Sequence, residues 1–215
     1  GYRLIDYCRF RRETVAIGMS YFDRYLCTLK GREALRSRKS YHLAAMTAIY
    51  IAIKLHESRN LDLSLMAELS EGCCTEMEFV RMERTILHAL KWRFNDPIVI
   101  GFVQRYMVFL PSTVDPAVCN LIFDYARYQT ELTVGDQKLA ATKPSELAFA
   151  AALNATEGLD DTPLPLKARR KCTCSIDIYA DIWTEDVECT QIKLAILLLE
   201  TMGEDYSKLV CAMAE

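Results

Sequence analysis

The sequence predicts an all-α protein, and three observations predict it. Strand signals are scarce. The eight glycines and six prolines cluster between periodic segments. Those segments are long, rich in Ala, Leu, Met, Glu, Lys and Arg, and place apolar residues at steps of three and four, the spacing of one helix face.

In chain order, the first helix covers 1–8. It looks cut short at Gly1, as in a fragment whose upstream part is missing. The second covers 12–28 (RETVAIGMSYFDRYLCT) and the third 40–57. The third is apolar nearly all round, with alanines at 44, 45, 48 and 52. Such a helix belongs at the centre of a bundle, where small residues let neighbours approach. A short fourth helix covers 64–70. The fifth covers 75–92, where Thr75 with Glu78 three residues on forms a capping box. Phe79, Met82, Ile86, Leu87 and Leu90 make its apolar face. Asn95-Asp96-Pro97 closes the first domain, with Asp96 as a cap and Pro97 in the next first turn.

A second set of helices covers 97–110, 115–132, 143–157, 165–182 and 185–202, and it repeats the first in order. ETVAIGMSYFDRYL recurs as DPAVCNLIFDYARYQTEL, the alanine-rich helix as ELAFAAALNA, and TEMEFVRMERTIL as TEDVECTQIKLAILL. A period of roughly 100 residues argues for duplicated domains and against a solenoid of short repeats. The expected architecture is two tandem five-helix units over 1–95 and 96–202, with a tail over 203–215.

The bulk numbers exclude several classes. Net charge is −3, and the short arginine and lysine clusters read as solvated faces, so no nucleic acid is expected. No apolar run approaches the length of about 20 residues that crosses a bilayer, so no membrane partner is expected. The nine cysteines form no CxxC pair, and His42, His56 and His88 do not stand at zinc-ligand spacing. Reduced thiols, an intracellular protein and no metal follow. GxGxxG, GxxxxGK[ST], GxSxG and HExxH are all missing. No catalytic site, cofactor or small-molecule substrate is expected.

Two polar residues stand out. Lys54 follows a long uncharged run, and Glu83 borders the apolar stripe of the fifth helix. A charge in such a place costs free energy unless paired. One reading has Lys54 snorkel to water and Glu83 pair with Arg84 or Lys91 on its own surface. The other has both reach one docking surface, where charge pairs fix register.

ETVAIGMSYFDRYL, YHLAAMTAIYIAIKLHE and FVRMERTILHALKW together resemble the cyclin box of the cyclins. The family runs from a helix ending in DRF/YL, through an alanine-rich helix ending in A-x-K-x-x-E, to a helix opening near R-M-E and ending in L-x-x-L-x-W/F. The resemblance covers about 1–95 well and 96–202 more loosely, as a divergent second cyclin box. It implies a non-catalytic subunit that binds and activates a cyclin-dependent protein kinase, in the nucleus and/or cytoplasm. It places Lys54 and Glu83 against the kinase near its mobile αC helix. Leu55, Glu57, Leu87, Trp92 and Phe94 fall at or beside that interface.

There are departures. The family's MRxxL-type substrate-docking motif would lie before Gly1. Asp23, matched to the aspartate that pairs with that motif's arginine, is expected without its family partner, leaving the first helix loose. His42 and His56 replace a family glutamine and glutamate. Alternatives remain: a transcription-associated cyclin-box protein, or a helical adaptor without kinase activation. Thr162-Pro163 is the single Ser/Thr-Pro pair and reads first as a turn.

Overall fold

A computed structural model describes residues 1–95, 97–160, 162–180 and 184–202. The expected tail over 203–215 and the Asp96 cap lie outside them. Every regular element among the described residues is a helix. The chain divides into two compact units, Gly1–Asp96 and Pro97–Glu215.

The first unit contains α1 (Tyr2–Cys8), α2 (Glu13–Leu26), α3 (Leu29–Ala34), α4 (Arg38–His56), α5 (Leu63–Leu69) and α6 (Glu76–Ala89). Its centre is α4, which packs against α2, α3 and α6. Leu43, Ala44, Thr47, Ala48 and the run Ile49–Ile53 are all buried, as an apolar-all-round helix requires. Gly18 of α2 meets it so closely that a Cβ there would lie 2.8 Å from the Ile49 Cα. On α6, Phe79, Ile86 and Leu90 are buried and Met82 and Leu87 pack beside them. Full burial of each such side chain contributes about 1.5–3 kcal/mol. The capping box at Thr75 forms with both of its bonds.

The second unit contains α7 (Val99–Met107), α8 (Pro116–Thr133), α9 (Gln137–Ala140), α10 (Pro144–Glu157), α11 (Leu166–Ala180) and α12 (Thr184–Met202). Its centre is α10, buried through Leu147–Ala152 and packed on α7, α8, α11 and α12.

Two short helices differ from the sequence expectation. α3 was hidden by Gly31, a poor helix former. The glycine is required there, because a Cβ would lie 1.8 Å from the Tyr25 carbonyl oxygen. α9 is a single turn capped by Asp136, which accepts from the backbone of Lys138 and Leu139. α7 starts at Val99 with Ile98 as its N-cap, so Pro97 stands before the helix and not in its first turn. α1 is anchored: Ile5 is fully buried, and Arg12 donates to both Asp6 carboxylate oxygens at 3.1 and 3.2 Å. Among the described residues no helix is long and apolar enough to cross a membrane, and no cluster of His, Cys, Asp and Glu could hold a metal.

Candidate functional site

Lys54 lies in the last turn of α4, and Glu83 lies midway along α6. The packing of these helices brings them together. The Lys54 Nζ donates to the Glu83 Oε1 at 2.7 Å. The same ammonium stands 5.3 Å from the centre of the Tyr50 ring, one turn back on α4. The hydrogen bond to Glu83 raises the Lys54 pKa above its ordinary value, against an opposing effect of burial. The lysine side chain is 41% exposed and the glutamate 16%. The pair is therefore a formed, half-open feature of the surface. Neither sequence reading foresaw that each residue's partner is the other.

Leu55, next along the chain, is exposed. Trp92 is more exposed still, at 65%, and its ring stands edge-on to His88 at 6.3 Å between centroids. The turn that carries it is unusual. Lys91 and Trp92 both have positive φ, 51° and 60°, and left-handed backbone costs a non-glycine residue about 1–2 kcal/mol. The turn closes through Lys91 N–H to His88 C=O, Trp92 N–H to Leu87 C=O and Arg93 N–H to Leu90 C=O, at 3.0, 3.1 and 3.1 Å.

Three expected site residues face inward. Leu87 is half-buried against the apolar cluster that α2, α4 and α6 share. Phe94 is buried, with its ring edge-on to Tyr21 at 4.9 Å. Glu57 shares a helical face with Lys54 on paper, but α4 ends at His56 and Glu57 is extended backbone. Its carboxylate, 8% exposed, turns back to accept from the Arg11 backbone N–H and the Thr14 hydroxyl. Glu57 and Phe94 therefore lie beneath the exposed Leu55 and Trp92 side chains and not beside them. Asp23 has no ion-pair partner among the described residues, and burial pushes its carboxyl pKa up.

Sequence reasoning missed a set of side chains behind the Trp92 turn. The Tyr21 hydroxyl donates to the Phe94 carbonyl at 2.8 Å and stands 2.8 Å from the His56 Nε2. Arg24, one turn along α2, donates to the Arg93 carbonyl at 2.8 Å. Tyr21 lies in the apolar stripe of α2, where a hydroxyl leaves no mark on periodicity.

Residues 2–95 match the family described as cyclin, N-terminal domain. A G1/S-specific cyclin-E1 from Gallus gallus is 30% identical over 107 residues, covering 48% of this chain and 25% of that protein. A G2/mitotic-specific cyclin-B from Hydra vulgaris is 24% identical over 195 residues, covering 91% of this chain and 49% of that one. The chain thus spans less than half the length of these relatives. The solved viral cyclin from herpesvirus saimiri superposes with a TM-score of 0.64 at 19% identity, over 90% of this chain and 80% of that chain, which shows a shared fold. The family match thus defines the first unit, residues 2–95, as a cyclin N-terminal domain.

Proposed function

We propose that the chain binds and activates a cyclin-dependent protein kinase and so controls the cell cycle, in the nucleus and/or cytoplasm. The observation that carries this reading is the Lys54–Glu83 pair, locked between α4 and α6, with Leu55 exposed on α4 and Trp92 exposed in the turn after α6. The G1/S-specific and G2/mitotic-specific relatives support the cell-cycle role.

The mechanism is a population shift. A protein kinase works when its αC glutamate pairs with its β3 lysine and its activation loop is ordered. A partner that packs only on the inward position of αC favours that state by the difference of its affinities for the two. Leu55 and Trp92 supply apolar area, while the charged pair fixes register. Glu57, Leu87 and Phe94 hold that surface in shape. Residues 97–202 are read as a second, divergent cyclin box, supported by the central alanine-rich α10 and by the reach of the fold likeness beyond the first unit.

The test is a kinase pull-down with the native chain and a Lys54→Glu, Glu83→Lys double variant. The swap preserves an ion pair between α4 and α6 while reversing its polarity toward a partner, so the fold is spared. Recovery of a cyclin-dependent kinase by the native bait alone supports the reading. Equal recovery by both moves the contact elsewhere. Recovery by neither, from folded baits, contradicts it.

A further inference from the structure

Behind the exposed Trp92, two side chains converge on two consecutive backbone carbonyls, and a third stands against one of the two side chains. Tyr21 and Arg24 stand three residues apart on α2, and they donate to the Phe94 and Arg93 carbonyls, each at 2.8 Å. A carbonyl only accepts, so the single Tyr21 proton is committed to Phe94. The contact with His56 then has one possible direction: the His56 Nε2–H donates to the Tyr21 oxygen at 2.8 Å. His56 in turn is held by its own carbonyl, which accepts from the Arg11 guanidinium. A chain of donors thus runs from the end of α4, through α2, to residues 93 and 94.

The position of this chain matters. Immediately before it, Lys91 and Trp92 occupy left-handed backbone. Two such residues in succession persist only where surrounding contacts over-determine them. Arg93 and Phe94 are the next residues along, and their carbonyls are the ones gripped.

We propose that Tyr21, Arg24 and His56 are positioning residues for partner binding, a clamp that fixes the turn through residues 91–94 and so presents Trp92 to the kinase. The inference rests on the kinase-docking reading above. It adds that α2 and His56, which stands where the resembling family has a glutamate, set the geometry of a surface they do not form. The clamp ties the end of α4, which carries Lys54, to the turn after α6, which carries Trp92. The two halves of the docking face are then positioned as one body.

The test uses the whole chain and two readouts. Hydrogen–deuterium exchange is followed at the Trp92 and Arg93 amides, with the Ile51 amide of α4 reporting global opening. Affinity for a purified cyclin-dependent kinase is measured in parallel. Tyr21→Phe keeps the ring against Phe94 and removes only the hydroxyl. Exchange at Trp92 and Arg93 should rise about tenfold relative to Ile51, and kinase affinity should fall by about the same factor, as for one buried hydrogen bond. His56→Leu should behave similarly, and His56→Gln, which keeps a donor, should recover most of the loss.

If exchange at the turn in Tyr21→Phe merely tracks Ile51, the clamp is overturned. If the turn loosens but affinity stays within about twofold of native while Trp92→Ala weakens binding, the positioning role is overturned. If Lys54→Glu and Trp92→Ala both leave binding intact, the kinase reading fails, and the exchange data still decide whether the turn is clamped.

Discussion

The two units are built around the same device and finish it differently. Each has a central helix rich in alanine, α4 and α10, and each central helix makes polar contacts with its neighbours. Around α10 the polar groups are mostly uncharged and partly hidden between helices. Fully buried Gln129 donates from its amide to the Ala151 carbonyl at 3.3 Å and accepts from Asn154 at 2.9 Å. Asn154 also reaches the Gln191 carbonyl on α12 at 3.2 Å. Around α4 the key contact is an ion pair that opens to solvent, flanked by an exposed leucine and followed, in the turn after α6, by an exposed tryptophan. Buried neutral amides fix the register of one bundle. A half-open charge pair is worth little to stability and is available to a partner. The difference teaches which polar residues hold this chain together and which face outward.

The largest expected effect breaks what the units share. Ala48→Leu in α4 and Ala151→Leu in α10 both insert a branched side chain at a fully buried site. Each should destabilise its unit by about 1–3 kcal/mol in urea unfolding. A neutral result at either site would deny that helix its central place.

The next prediction separates the units. Gln129→Ala leaves an Asn154 donor without its partner and removes the side-chain bond to the Ala151 carbonyl, and should cost about 1–3 kcal/mol while leaving kinase affinity unchanged. Lys54→Met should do the reverse: a stability change within about 1 kcal/mol and a large loss of kinase binding. Paired denaturation and calorimetry on the two variants would show the crossing.

Smaller effects lie in the pH dependence of the first unit. The Lys39 ammonium and the Thr75 backbone bond hold the Glu78 pKa down at about 2, against an ordinary 4.5. A depressed carboxylate gives stability that is present above pH 4.5 and is lost as pH falls through about 2. Glu78→Gln should flatten the acid unfolding curve in that window. His56 is smaller still. Burial first, then the Arg11 charge, lowers its pKa below 6.5, with Glu57 opposing. The fold therefore excludes a proton that the unfolded chain accepts, so stability declines as pH falls from 6.5 through the lowered value. In His56→Gln that slope should vanish while the lower-pH window due to Glu78 remains.

Much of this was legible in the sequence, for identifiable reasons. Periodicity reports which face of a helix is apolar, so α2, α4, α6, α8 and α10 could be read from spacing, and Thr75 with Glu78 announced the start of α6. Lys54 and Glu83 stood out because a charge beside an apolar stripe demands an explanation. Their bond to each other was not legible, since 29 residues separate them and only helix packing joins them. The inward turn of Glu57 was not legible, because α4 ends at His56 and spacing does not report where a helix stops. The burial of Phe94 was not legible either, because it follows the left-handed turn at 91 and 92, and nothing in Lys-Trp signals positive φ as glycine would. The α2 donors were missed because Tyr21 and Arg24 act on backbone carbonyls of a distant segment, which carry no residue identity to search for.

The central claim is that the first unit's half-open charged surface activates a kinase. The most direct measurement is peptide phosphorylation by a purified cyclin-dependent kinase, titrated with the native chain and with the Lys54→Glu, Glu83→Lys swap. The account predicts saturable stimulation by the native chain and little or none by the equally stable swap. Equal stimulation by both, or none from the folded native chain, would contradict it.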